Sequence, residues 1–237
     1  MTKLESVWID LDGTLLPIHQ QEFIEAYFGE LVAKLAPFGF SPQAITQAVW
    51  AGTKAMVKND GSVYNRERFW QTFGDLLGKQ AKELEPITDA FYANEFQRVQ
   101  RVVKTVPDVK RLLRIFRDAG CEIHLATNPL FPAVAVESRL GWIGLSAADF
   151  NSITTYENAR YCKPNPLYYA DILQKTAKSP SQCLMIGNSP GEDMAPLPAG
   201  MRRFLLTDYL ENETDMDISI YPHGNFEQLL AFAESTI

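Results

Sequence analysis

The sequence predicts an α/β fold, a doubly wound parallel sheet interrupted by a long helical insertion, and three observations carry that prediction. From Cys121 onward, short apolar runs alternate with amphipathic stretches, the pattern of strands joined by crossover helices. Polar residues close those runs: Asp10 and Asp12, Thr127 and Asn128, Gly187 and Asn188. Ligands of parallel sheets bind beyond the strand C-termini, so these groups converge on one rim. Between the first run and the others lies a stretch, residues 18–104, with helical periodicity and little strand character. Residues 1–17 and 105–237 then form the α/β core.

Val7-Trp8-Ile9 ends a buried strand, and Gly13 permits a sharp exit from it. In the insertion, Phe23, Tyr27, Phe28, Leu31 and Leu35 recur at three- and four-residue steps, one face of a helix. That helix stops around Pro37-Phe38-Gly39. Ser41-Pro42 supplies an N-cap and a first-position proline for a helix toward Val57. Asn59-Asp60-Gly61-Ser62 is a turn, and helices follow near 66–77 and 86–104. In the core, Val109, Leu112, Leu113 and Phe116 line one face of a helix over 108–119, with Gly120 as its stop. A strand over 121–126, a helix near 132–140 and a strand over 152–155 come next. A helix over 165–177, strands at 184–186 and 203–206, and a terminal helix over 226–232 complete the pattern.

The chain has 237 residues, enough for a substantial core, and its 46% apolar and 22% charged content is that of a soluble globular protein. A net charge of −7 argues against nucleic acid as a partner. Cys121, Cys162 and Cys183 are too few and too scattered for a disulfide framework or a metal site, so reduced thiols are expected. Without a signal-peptide core or a membrane-spanning segment, the expectation is a cytoplasmic protein with no membrane partner.

Asp10 and Asp12 sit two apart at a strand end, so their carboxylates face the same side. Like charges that close repel unless a cation or a shared proton intervenes. Asp10-Leu11-Asp12-Gly13-Thr14 matches a DxDxT motif after an apolar strand, and Thr127 closes the strand Ile123-His124-Leu125-Ala126. Lys163-Pro164 follows, then Gly187-Asn188-Ser189-Pro190-Gly191-Glu192-Asp193. In this order the four resemble the motifs of the haloacid dehalogenase (HAD) superfamily of aspartate-nucleophile phosphotransferases, from Ser6 to about Leu206. The resemblance implies a Rossmann-like core with a helical cap domain. It implies Asp10 as nucleophile and Asp12 as general acid and base. Thr127, Asn128 and Lys163 would bind the phosphoryl group. Magnesium would be held by Asp10, the Asp12 backbone carbonyl, Asn188 and Asp193. The implied reaction is hydrolysis of a small phosphorylated metabolite, a sugar phosphate or a nucleotide, through an aspartyl-phosphate.

Two features depart from the family pattern. Asn188 stands where an aspartate usually helps to bind the metal, and Pro196 and Pro198 interrupt a stretch that usually reads as a short helix. An amide supplies no charge, so magnesium affinity should fall unless Asp193 or Glu192 compensates. A phosphomutase shares the whole set, and a catalytically weak metabolite-binding protein is the reading that Asn188 favours. A dehalogenase needs neither the second aspartate nor magnesium, so Asp12 counts against it. In the cap, His19, Lys54, Lys58, Asn65 and Arg66 are candidates for substrate specificity. Cys162, His124, Trp50 and Trp70 read as packing residues.

Overall fold

The computed structural model describes residues 2–237, with the side chains of residues 79, 80 and 82 outside the description. Six parallel strands form one sheet: β1 (Ser6–Ile9), β2 (Glu122–Leu125), β3 (Ser152–Ile153), β4 (Cys183–Gly187), β5 (Arg202–Leu206) and β6 (His223–Gly224). Their spatial order is β3-β2-β1-β4-β5-β6, so the connections wind outward in both directions from β1. Ligands gather at such a switch point in open α/β sheets. Ile9 lies level with Leu125 of β2 and Ile186 of β4. Asp10, the residues after Ala126 and those after Gly187 therefore leave the sheet side by side.

Helices α5 (Val109–Asp118), α6 (Ala133–Trp142), α7 (Pro166–Thr176) and α8 (Phe226–Thr236) belong to the core. Between β1 and β2 the insertion contains α1 (Gln20–Leu35), α2 (Pro42–Val57), α3 (Asn65–Leu77), α4 (Glu85–Ala93) and a 3₁₀ segment, Glu95–Val102. Ser41 caps α2, its hydroxyl accepting from Ala44 N at 3.2 Å. The two chains entering and leaving the insertion lie together, Lys104 N donating to Pro17 O at 2.8 Å.

The insertion packs onto the core through aromatic rings. Phe96 meets Trp142 at 5.0 Å, and Tyr27 meets Phe131 at 5.4 Å. One apolar cluster thus runs from the sheet into the insertion. Backbone bonds add to the closure, with Asn65 N donating to Ala159 O and Arg66 N to Tyr156 O.

Four details differ from the sequence expectation. The helix expected over 86–104 breaks at Asn94, whose φ of −120° and ψ of −80° leave helical space. The Asn94 side chain donates to Ala90 O at 2.7 Å, the local competition with helix that asparagine offers. The strand expected over 152–155 ends at Ile153, and the Thr154 hydroxyl turns to donate to Thr127 O at 2.7 Å. The edge strand β6 has two residues and no apolar pattern to announce it. Trp50, expected inside, is 49% exposed and stacks on Phe28 at the insertion's surface. Trp70, His124 and Cys162 are buried as expected. Among the described residues, no helix is long and apolar enough to cross a membrane.

Candidate active site

Asp10 is the first residue past β1, and its backbone N–H still donates to Ile186 O at 2.9 Å. The chain then turns at Gly13, with φ at +76°, a conformation that favours glycine. A Cβ there would also stand 2.1 Å from Asn188 Nδ2. The turn brings the Thr14 hydroxyl to 3.1 Å from Asp10 Oδ2 and 3.3 Å from Asn188 Oδ1. Asn188 Nδ2 donates to Tyr209 O at 2.7 Å, and that bond fixes the amide with its oxygen toward the aspartate. One hydroxyl proton cannot serve both oxygens at full strength, so they form a compact acceptor pair.

On the other side of Asp10, Lys163 Nζ donates to Asp10 Oδ1 at 2.9 Å and to Asp193 Oδ1 at 2.6 Å. Lys163 is 1% exposed. Burial alone would strip its proton, but Asp10 and Asp193 outweigh burial and hold the ammonium well above the usual lysine range. The second oxygen of Asp193 accepts from Ser189 N at 3.1 Å, so both oxygens of this carboxylate have partners. Asp193 is thus tied to Lys163 and to the Ser189 backbone. Tyr168 donates from its hydroxyl to Thr127 O at 3.0 Å, fixing the loop beyond β2. Asn128 Nδ2 donates to Glu192 Oε2 at 3.1 Å, and Asn128 Oδ1 accepts from Lys163 N at 3.2 Å.

Asp12 has a partner absent from the sequence expectation. Arg139 on α6 is fully buried and pairs through Nη1 with Asp12 Oδ2. Its guanidinium lies 4.5 Å from the centre of the Phe131 ring, a cation–π contact. Asp12 Oδ1 and Arg139 Nη2 have no hydrogen-bond partner among the described residues. Burial pushes the Asp12 carboxyl up, against the pull of Arg139, and its net direction is upward. The sequence did carry a signal: Arg139 falls three and four residues from Val136 and Ala135, on the buried face of α6. An arginine there needs an acid, and the pattern does not say which.

Two further carboxyls line the same cleft. Burial raises Glu192 to about 7 and Glu211 to about 8, the latter helped by the surrounding Asp10 and Asp12. Glu211 lies in the loop beyond β5, its backbone N–H donating to Asn188 O at 3.0 Å. Several acids crowd that loop sequence, so nothing in it singles out Glu211. Five carboxyls (Asp10, Asp12, Glu192, Asp193, Glu211) thus face two cations, Lys163 and Arg139. Among the described residues no three acidic, histidine or cysteine side chains surround one point. The donor set at Asp10 is instead mixed, carboxylate with amide oxygen, and its hardness and acid surplus fit a divalent cation such as magnesium.

Asp10, Asp12, Thr127, Asn128, Asn188 and Asp193 border one cavity of about 220 Å³ that runs up into the insertion, and Lys163 reaches Asp10 from behind. The cap candidates fall elsewhere. His19, Lys54 and Lys58 are exposed and do not border the cavity. Arg66 is exposed and paired with Glu85 at 2.7 Å. Asn65 is wholly buried, donating to Pro129 O and accepting from Asn59, where it ties insertion to core. Cys121, Cys162 and Cys183 are free and buried.

Comparison with known proteins agrees with this arrangement. The family model of haloacid dehalogenase-like hydrolases matches residues 5–199. A phosphoglycolate phosphatase of Vibrio vulnificus is 30% identical over 133 residues, spanning 56% of this chain and 54% of that one. The 2-haloacid dehalogenase of Pseudomonas syringae superposes with a TM-score of 0.62 at 20% identity, covering 98% of both chains. YfnB of Bacillus subtilis, solved bound to magnesium, superposes with a TM-score of 0.56 at 16% identity over 99% of both chains. With the family motifs at adjoining strand ends and the model spanning most of its length, the chain belongs to the haloacid dehalogenase-like hydrolases.

Proposed function

We propose that this hydrolase is a magnesium-dependent phosphatase of a small-molecule phosphomonoester, working through an aspartyl-phosphate on Asp10. The observation that carries the reading is the Asp10 carboxylate held between Lys163 Nζ and the Thr14 hydroxyl, with Asn188 Oδ1 beside it. An Asp10 oxygen forms a bond to phosphorus as the ester P–O bond breaks. Asp12 donates its proton to the departing alcohol oxygen, then takes one from the water that attacks the phospho-aspartate. Lys163 neutralises charge on the nucleophile and the phosphoryl oxygens, and Thr127 and Asn128 donate hydrogen bonds to those oxygens. Magnesium would be held by Asp10, Asn188 and the Asp12 carbonyl, with Glu211 and Glu192 as neighbouring acids, and would offset negative charge on the transferring group. Asp193 serves by holding Lys163. The cap corresponds to residues 18–104, and the buried free thiols support a cytoplasmic setting.

Phosphate release from a panel of phosphomonoesters with magnesium tests this reading. Turnover by the native chain and its loss in Asp10→Asn is the expected result. A chain that only transfers phosphate to an added acceptor is a mutase. Metabolite binding without turnover across the panel would establish the binding reading that Asn188 favours. Magnesium titration of native and Asn188→Asp protein separates the metal question, and equal metal dependence would show that Asn188 does not limit affinity.

A further inference from the structure

The cavity above Asp10 is chemically one-sided. At its foot stand the acids and phosphate-binding groups, and its upper wall, between α1, α2 and α3, is made by Ile24, Phe28, Val49, Trp50 and Phe69. No lysine or arginine is among the described residues that border it. Of the two cations behind its wall, Lys163 is held by Asp10 and Asp193, and Arg139 is capped by Asp12 and covered by Phe131. A second anionic group on a substrate would meet no counter-charge and would add to an acid surplus.

Most polar atoms in the upper wall already have partners. The Tyr27 and Tyr92 hydroxyls bond each other at 2.8 Å, and Thr88 Oγ1 donates to Glu85 O at 2.8 Å. Trp70 Nε1 donates to Tyr156 OH at 3.4 Å. Burial pushes the Tyr27 phenol up to about 12 and Tyr156 upward as well. The hydroxyls of a sugar would lose water here and gain few partners, which is costly. An apolar cavity of roughly 150 Å³ admits a benzene ring. The 220 Å³ of this one therefore suits a single ring or a branched chain of similar size beside the phosphoryl group.

From this juxtaposition we infer that the substrate is a phosphate monoester of an alcohol bearing one neutral, apolar group, aromatic or branched aliphatic, seated between α1, α2 and α3. The inference rests on the phosphatase reading and narrows it. Hydrolysis leaves inorganic phosphate and the apolar alcohol, with water supplying the oxygen that replaces the ester bond.

The experiment compares 2-phenylethyl phosphate with glycerol 3-phosphate, glucose 6-phosphate and 2-phosphoglycolate, using native protein with magnesium. Phenylethyl and glyceryl esters have leaving alcohols of comparable acidity, so their ratio reads binding of the organic group. The expected result is a kcat/KM at least about tenfold higher for 2-phenylethyl phosphate, the scale of burying one ring's apolar surface. Trp50→Arg, at a half-exposed position that tolerates a long polar chain, should raise KM for 2-phenylethyl phosphate with little change in kcat. The same change should lower KM for 2-phosphoglycolate. Equal or better turnover of the polar esters by native protein would overturn the inference and leave the phosphatase reading standing. Unchanged KM values in Trp50→Arg would also overturn it, because the ring would then lie elsewhere. Absence of turnover for every ester would remove the phosphatase reading, and the inference with it.

Discussion

At the scale of single residues, the site is built from charges whose partners are fixed by burial. Arg139 is wholly enclosed, so its pairing with Asp12 is the condition for the arginine's charge to exist there. Replacing Arg139 by methionine leaves the partly exposed Asp12 without its counter-ion and should destabilise the fold by about 1–3 kcal/mol, measured by urea unfolding. Activity should change in a diagnostic way. Arg139 pulls the Asp12 carboxyl down against burial, so without it the pH limb set by Asp12 should move upward. A double variant, Arg139→Met with Asp12→Ala, should recover part of the stability because no orphaned charge remains. Simple additivity of the two losses would show that the pair is not coupled. Gly13 is constrained as tightly, since alanine there would meet both a positive φ of +76° and the Asn188 amide at 2.1 Å. Gly13→Ala should therefore reduce turnover more than it lowers melting temperature, because the displaced group is the Asn188 side chain beside the nucleophile. Full activity in that variant would show that Asn188 has no positional role.

At the scale of elements, the close pairing of α2 and α3 shapes the cavity. Gly52 of α2 faces Phe69 of α3, and a Cβ at 52 would lie 2.5 Å from Phe69 Cδ2. Helix propensity favours alanine over glycine by about 1 kcal/mol, while overpacking costs about 1–3 kcal/mol. Phe69 is flanked by Trp70 and Phe73 at 5.4 and 5.5 Å, which limits its retreat and leaves the cavity as the open direction. Gly52→Ala should thus be net destabilising by roughly 1 kcal/mol and should weaken inhibition by 2-phenylethanol. A more stable variant with unchanged inhibition would mean the helices have slack. Sequence patterns reach this level well for long elements: α1 and α5 were legible because their apolar residues repeat at the helical period, and α2 because Ser41-Pro42 marks its start. The strand-end residues Asp10, Thr127 and Asn188, with Lys163 in the loop before α7, were legible because their order along the chain is distinctive. What was hidden depends on the third dimension. Arg139 and Glu211 come to the site from a helix face and a loop, by packing that no local pattern encodes. Asn94 breaks a helix through one side-chain bond, and β6 owes its two residues to the neighbouring strand β5. Lys54, Lys58 and Arg66 looked like substrate contacts because charge near a turn is visible, whereas the direction of a helix face depends on its partners.

For the molecule as a whole, the acid surplus couples stability to pH and to cations. Glu192 is raised to about 7 and Glu211 to about 8, from an ordinary value of 4.5. In the unfolded chain both carboxyls release their protons near that ordinary value. Between there and their raised values the folded chain binds more protons than the unfolded one, so stability falls as pH rises. The contribution is fully present below about 4.5 and is lost as pH passes 7 and then 8. Asp12 and Asp193, also raised, act in the same sense, while Lys163, held above the lysine range, titrates beyond this window. Without divalent cation, the melting temperature should therefore decline from mildly acidic to mildly alkaline pH. Glu211→Gln, which has no proton to lose, should flatten the upper part of that decline. Magnesium binds the ionised carboxylates in competition with protons, and a ligand that binds only the folded state stabilises it by mass action. Its stabilising effect should accordingly be small at pH near 6 and grow toward pH 8, the reverse of the trend without metal. Thermal unfolding of native and Glu211→Gln protein across that range, with magnesium and with chelator, measures both slopes. Parallel curves for the two proteins would show that Glu211 is not the group that holds the proton. A magnesium effect independent of pH would mean that the cation does not bind among these carboxyls.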